Sequence, residues 1–286
     1  MKALKNSDDD KKKQNFIKRF LILIAALFSI GQIFPLVWLL DFSLNKSGDL
    51  FGANILKWPN PPQFHNYVTA WVDGKIFRYL VNSVFVNVTA VGLTIVLSVM
   101  MAYAFVRMEW KFRKALYGFV LLGMMIPIHA TLLPNFLSFR AIGIQDSYLA
   151  LILPYVAFSM PLAIFILSGF MESVPKSIEE AAVIDGCSIF GIVFRIIFPI
   201  VKPAIVTVLI LTFLNTWNEF IMAATYISSD TFRTLPFAVY NFAGQYASNY
   251  AVQFAVMTLV ALPSLIIYII LNKEITKGVI SGALKG

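Results

Sequence analysis

The sequence predicts an all-α integral membrane protein: six transmembrane helices, with a short polar helix on the cytoplasmic side between the fourth and fifth spans. Hydrophobic residues make up 59% of the 286 residues and charged residues only 13%, about half the share of roughly 25% found in soluble domains. The charges are gathered into a few segments, which leaves long uncharged runs. Those runs have the length of about 20 residues that a helix needs to cross the hydrocarbon.

In chain order, residues 1–15 contain Asp8, Asp9 and Asp10 followed by Lys11, Lys12 and Lys13, which suggests a disordered basic tail. The membrane domain is expected over residues 16–271. Residues 20–40 are uncharged and are followed by Asp41, Phe42 and Ser43 rather than by a small-x-small cleavage site. The run is also too long for a signal-peptide core, so it is the first span. An outer segment follows, with Pro59, Asn60, Pro61 and Pro62 as turn formers and Trp58, Phe64, Tyr67 and Trp71 as aromatics. Such aromatics suit the membrane interface. The uncharged runs 79–106, 115–139 and 147–171 supply spans two to four, and 203–229, whose one charge is Glu219, supplies the fifth. The uncharged run 234–272 is long enough for an outer loop and a sixth span near 250–271. Prolines 35, 127, 154, 161 and 263 fall within these spans, where they kink helices whose freed carbonyls neighbours must satisfy.

Orientation follows from the basic residues. Seventeen of the 23 Lys and Arg residues lie in 1–19, 107–114, 172–202 and 272–286. Basic residues favour the cytoplasmic side of a membrane, so both termini are expected in the cytoplasm. The net charge of +8 then reflects topology and attraction to anionic lipid. Its scatter over four segments argues against nucleic-acid binding. The single cysteine, Cys187, excludes an internal disulfide. His65 and His129 have no Cys, Asp or second His spaced to join them in holding a metal. No clustered catalytic residues point to an enzyme. The Gly-Lys pair Gly74-Lys75 is followed by Ile76, so the chain lacks the phosphate loop that ends in Lys and Ser or Thr. No cofactor is expected on this chain.

The polar insertion at 172–202 is the feature that residence in a membrane does not require. Ser177 and Glu180 are spaced as a capping box, Glu179 and Glu180 suit a helix N-terminus, and Gly186 suits a left-handed helix end. A helix of about eight residues is predicted over 178–185, too short to hold alone. Ala181 and Ala182 permit close approach of another surface. A second helix is expected from Ser188 back toward Pro199 and Pro203. On physics alone, this segment is either a self-packed hairpin or a docking element.

Glu180-Ala181-Ala182, Gly186, Ile196 and Phe198-Pro199 resemble, with matching spacing, the EAA motif of the membrane subunits of ABC importers. Phe198 is the one departure, at a position where that family has Leu. Met125-Ile126-Pro127, Leu133-Pro134, Gly143 to Asp146, Phe213, and Trp217-Asn218-Glu219-Phe220 extend the likeness to the maltose-type (MalG-like) carbohydrate permeases, as does the tail from Lys277 to Gly286. The resemblance covers about residues 16–286. It implies a type I importer in which 172–202 is a coupling loop. Glu179, Glu180, Ala181, Ala182, Asp185 and Gly186 would then contact a separate ATPase, and Ser281, Gly282 and Lys285 of the tail 272–286 would reach between two ATPase subunits. It also implies a second six-helix permease as heterodimer partner, an extracellular or periplasmic sugar-binding protein, and ATP with Mg on the ATPases.

Within the spans, Asn82, Asn87, Asn215, Asn218 and Glu219 are candidates for the translocation path, because amides both donate to and accept from hydroxyls. The amides can equally stitch helices together. Glu219 either lines a watery path or a subunit contact, or is solvated near the outer interface. Importers of glycerol-phosphate, polyamine or phosphate share this outline, but a phosphate group would favour Arg or Lys deep in the spans, and none is present. A secondary transporter would show ion-coupling acids or inverted repeats, and neither is evident.

The predicted topology has a direct check. A fluorescent protein fused after residue 286 should fold and fluoresce in the cytoplasm. Alkaline phosphatase fused within 107–114 should be inactive, and within 230–240 active. Activity at 107–114 would invert the assignment.

Overall fold

The structure, a computed structural model, describes residues 2–49, 58–245 and 249–283, with side chains at 14–48, 58–240, 242 and 249–270. Every regular element among them is helical. The main ones are α1 (Lys2–Ser43), α2 (His65–Asp73), α3 (Ile76–Val106), α4 (Arg113–Leu122), α5 (Leu132–Ala141), α6 (Leu149–Glu172) and α7 (Ser177–Ile184). After them come α8 (Ile189–Gly191), a π-helical segment Ile192–Ile197, α9 (Phe198–Ile200), α10 (Lys202–Trp217), α11 (Ile221–Tyr226), α12 (Phe237–Gln245) and α13 (Tyr250–Ala283). α1 runs through residues 2–15, where composition suggested a disordered tail. There Asp8 and Asp9 precede Lys12 and Lys13 by four positions, a spacing that favours helix.

Among the described residues, four helices are long and apolar enough to cross a membrane: Gln14–Ser43, Ile76–Val106, Leu149–Glu172 and Tyr250–Ile270. Two more crossings exist if each of two bent pairs counts as one span. Arg113–Met125 and Ile128–Ala141 meet at 94°, and Ile189–Ile200 and Lys202–Trp217 at 80°. The third run, expected as one kinked span, is therefore two helices at nearly a right angle. Pro127 has no N–H to continue a helix and leaves Ile126 extended at φ −77°, ψ 118°, as a residue before proline prefers. The fifth run also divides. α10 ends at Trp217, and α11 starts only at Ile221.

The chain forms two compact units, one from residues 1–72 and 242–259 and the other from 73–241 and 260–286. In the first, Phe42 packs on Trp38 at 4.3 Å and edge-on against Phe254 at 5.1 Å between ring centroids. Asn66 donates to the carbonyls of Ser43 and Asn45, both at 2.9 Å. Ser47 donates to Asn249 Oδ1 at 2.5 Å and accepts from the Ala251 amide at 3.2 Å. These bonds satisfy backbone groups where helices end.

In the second unit α3 lies along α6, and α10 packs on both. One cluster joins Val99, Ala102, Leu167, Met171, Ala182, Val193, Ile197 and Ala204. Another joins Val86, Ala90, Leu151, Tyr155, Met222 and Tyr226. Polar contacts fix the segment after α11. Asn82, only 4% exposed, donates to the carbonyls of Thr231 and Arg233, both at 2.8 Å, and accepts from Tyr148 Oη at 2.8 Å. Ser83 Oγ accepts the Leu235 amide at 2.7 Å. Asp230 is paired with Lys75 and Arg233. Asp146, at φ 57°, accepts the amides of Ser228 and Ser229, each at 2.9 Å.

These contacts set the acid stability of the segment after α11. Burial pushes the Asp146 carboxyl up, but the Ser229 and Ser228 amides outweigh it and hold the carboxyl below the usual carboxylate range. The bond to Lys75 does the same for Asp230, against its burial and with help from Arg233. A depressed carboxyl stabilises the fold in full above its unfolded value of about 3.9, and the stability is lost as pH falls through the lower folded value. Protection of the Ser228 and Ser229 amides against hydrogen exchange should therefore hold down to about pH 4 and collapse below it. In Asp146→Asn it should be reduced already at neutral pH. Equal protection in the variant would remove Asp146 from this role.

Candidate functional site

Two places in the second unit have the character of functional sites: a cavity inside the helix bundle, and the exposed face of α7 with the turn after it.

The cavity holds about 550 Å³, within the range of roughly 300–1,000 Å³ usual for small-molecule sites. α6 contributes Tyr155, Phe158, Ser159, Leu162 and Ile166; α10 contributes Leu211, Thr212, Asn215 and Thr216. His129 comes from the turn after Pro127, and Asn218, Glu219 and Phe220 from the break between α10 and α11. The wall mixes aromatic and aliphatic surface with hydroxyl, amide, imidazole and carboxylate groups, and it contains no Lys or Arg.

Glu219 organises this wall. Its Oε1 accepts the Met222 amide at 2.7 Å, and its Oε2 accepts Tyr155 Oη at 2.7 Å and the Ala223 amide at 3.3 Å. It therefore caps two of the orphan amides at the start of α11 and ties α11 to α6. A carboxylate at a helix N-terminus is also favoured by the helix dipole.

Three of the five intramembrane candidates, Asn215, Asn218 and Glu219, come together on the cavity. Asn218 donates to the Leu214 carbonyl at 2.8 Å, and Asn215 is exposed. Asn82 and Asn87 are buried elsewhere, Asn82 in the hydrogen bonds to the segment after α11. His129 is exposed on the cavity. Tyr155 was not among the sequence candidates. Its signal was present in the spacing: Tyr155 and Ser159 are four apart, as are Thr212 and Thr216, which puts each pair on one helix face.

α7 spans eight residues from Ser177. The expected capping box does not form, because the helix starts one residue earlier than the pattern suggested. Ser177 lies inside the helix, and the Lys176 carbonyl accepts the amides of Glu179 and Glu180 at 2.9 and 3.0 Å. The far end follows expectation. Gly186 has φ +77°, its amide bonds the Val183 carbonyl at 3.0 Å, and the Cys187 amide bonds that of Ala182 at 2.9 Å. This is the Schellman arrangement, and it needs a residue that tolerates the left-handed region. Asp185 caps the helix just before it.

The six residues proposed from the motif divide by face. Glu179 and Ala182 are buried toward the bundle, whereas Glu180, Ala181, Asp185 and Gly186 are exposed. Apolar side chains surround the exposed set. Ile184 is 86% exposed, with Val183, Ile189 and Phe190 also open. In the tail, Ser281 and Gly282 fall in the last turn of α13, and Lys285 lies outside the described residues.

Residues 94–280 match the family described as binding-protein-dependent transport system inner membrane component. The sulfoquinovosyl glycerol transport system permease protein SmoH of Agrobacterium fabrum is 33% identical over 94% of each chain. The arabinooligosaccharides transport system permease protein AraQ of Bacillus subtilis is 31% identical over 93% of this chain and 95% of its own. Among solved structures, a chain of a bacterial ABC transporter involved in the import of the acidic polysaccharide alginate superposes with a TM-score of 0.77 at 21% identity. That match covers 91% of this chain and 96% of the other.

The network at Glu219 makes a graded prediction. Glu219→Ala strands two amides and a phenol, and should cost about 3 kcal/mol of stability, whereas Glu219→Gln keeps one acceptor and should cost about 1 kcal/mol. Thermal unfolding of the purified protein in detergent would read the order. Equal melting of the two variants would mean that the carboxylate does not hold α11.

Proposed function

The chain belongs to the binding-protein-dependent transport system inner membrane components, and on that premise we propose that it is the permease subunit of a bacterial ABC importer for a sugar or oligosaccharide. The observation that carries this reading is the cavity between α6, α10 and α11. Hydroxyl-rich ligands are bound by groups that donate and accept on a partly aromatic surface, and Tyr155, Ser159, Asn215, Asn218 and Phe158 supply both. The sugar transport roles of the relatives point the same way.

In this reading each bent helix pair serves as one crossing, giving six, with both termini in the cytoplasm. Energy comes from elsewhere, since the chain lacks a phosphate loop. Two separate ATPase subunits hold ATP and Mg and receive the exposed face of α7 as the coupling helix. Ser281, Gly282 and Lys285 of the tail contact them. A second permease completes the pathway, and a binding protein delivers the sugar from outside. Closure of the ATPases displaces α7, and the bundle alternates between inward- and outward-facing states by rigid-body movement.

Gly186→Val tests the coupling assignment. A β-branched residue in the left-handed region costs about 1–2 kcal/mol and should open the helix end that faces the ATPase. In proteoliposomes with the ATPase, sister permease and binding protein, sugar-dependent uptake should fall about tenfold or more, the size of an ordinary coupling between sites. Uptake and ATPase co-purification at the level of the unmodified protein would defeat the assignment.

A further inference from the structure

α7 is too short to keep its shape without docking, and only two of its side chains reach the bundle, Glu179 and Ala182. Ala182 packs in the cluster that includes Leu167 and Val193, but a methyl group gives little hold against sliding. The other contact is of a different kind. Arg107 is the first charged residue after the uncharged run of α3 and caps that helix, its amide on the Tyr103 carbonyl at 2.8 Å. Its Nε lies 2.7 Å from Glu179 Oε1, and the two side chains are 7% and 11% exposed. Its Nη2 donates to the carbonyls of Met171 at 2.9 Å and Val174 at 2.6 Å. Those carbonyls belong to the end of α6 and the turn after it, where helix carbonyls lack intrahelical partners.

One buried guanidinium thus joins the end of α3, the end of α6 and the inner face of α7. A planar fork can serve a carboxylate and two carbonyls at once, whereas a lysine ammonium is a compact point charge on a flexible stem. α6 continues from this junction to Tyr155, Phe158 and Ser159 on the cavity wall.

We infer that Arg107 is the positioning residue that makes α7 move as one body with the ends of α3 and α6, so that force applied at α7 reaches the cavity wall. The source of the force rests on the importer reading above; the grip itself does not.

The test compares the unmodified protein with Glu179→Gln, Arg107→Lys and the double variant Arg107→Met with Glu179→Met. The double variant fills the same space without buried charge, a replacement that buried ion pairs often tolerate, but it cannot bond the Met171 and Val174 carbonyls. Two readouts are taken. In the full-length permease, hydrogen exchange at the amides of residues 179–187 should accelerate about tenfold in Glu179→Gln and the double variant and less in Arg107→Lys, with α6 above the junction unchanged. In the assembled transporter, sugar taken up per ATP hydrolysed should fall about tenfold, a usual size for coupling between sites, while the amount of complex and its basal ATP hydrolysis stay near those of the unmodified protein. Arg107→Lys, which keeps the charge, should be the mildest.

Unchanged exchange in the double variant would overturn the grip. So would an unmodified ratio of uptake to hydrolysis, or a loss of uptake that only follows a loss of assembled complex. If the single variants fail to assemble, the double variant decides. Sugar-independent turnover in the unmodified complex would count against the importer reading alone, because the exchange measurement uses neither sugar nor ATP.

Discussion

In lipid, a backbone amide or carbonyl freed from a helix must find a partner inside the protein, because no water is there to take it. This chain breaks its helices repeatedly within its apolar runs, at Pro127, after Ile200 and between Trp217 and Ile221. Several polar side chains in and beside those runs are committed to such groups. Glu219 accepts two amides at the start of α11. Thr216 returns its hydroxyl to the Thr212 carbonyl at 2.8 Å. Arg107 takes two carbonyls at the end of α6. The break after α10 is thus held by Glu219 and the end of α6 by Arg107, which makes each a joint of fixed geometry.

The same groups give the cavity its character. The break that frees the backbone after α10 also brings Asn218, Glu219 and Phe220 onto the wall. A continuous helix there would present a single stripe of residues, and the carboxylate could not reach the Met222 amide. The Glu219 charge is shared with two amides and a phenol. The wall is thus polar without a free cation, and its donors and acceptors are spread over several elements. That is a surface for hydroxyl groups more than for a phosphate.

Much of this was legible in the sequence. Charge-free runs marked the long helices, because only an apolar face is stable in lipid, and Gly186 marked the end of α7, because the left-handed region nearly demands it. The bends were legible only as prolines. The helices on either side of Pro127 meet at 94°, whereas Pro154 and Pro161 lie inside the unbroken α6. Proline removes a donor in every case. Whether the helix then breaks depends on the neighbours that satisfy the freed carbonyl, and those come from distant parts of the chain. The asymmetry among the asparagines has the same origin. Asn82 and Asn218 look alike in sequence, but one meets the Thr231 and Arg233 carbonyls and the other turns back on Leu214. The Ser177 box failed for a local reason: the turn after Pro175 lets the Lys176 carbonyl start the helix first.

The Arg107 and Glu179 pair stands apart from the ion pairs at Asp230 because both of its side chains are buried. Removing one partner of a buried ion pair costs about 3–5 kcal/mol, while replacing both by apolar groups is often neutral. Stability alone therefore gives little reason for such a pair in a chain so rich in aliphatic residues. Its geometry supplies a different reason. A packed apolar contact resists separation but lets surfaces slide, whereas a fork that holds a carboxylate and two carbonyls resists displacement in several directions. A helix of eight residues, too short to hold its place alone, is held by the second property more than by the first. α7 has one residue of each kind on its buried face, Ala182 to permit close approach and Glu179 to prevent slip. The opposite face leaves Ile184 and Val183 exposed.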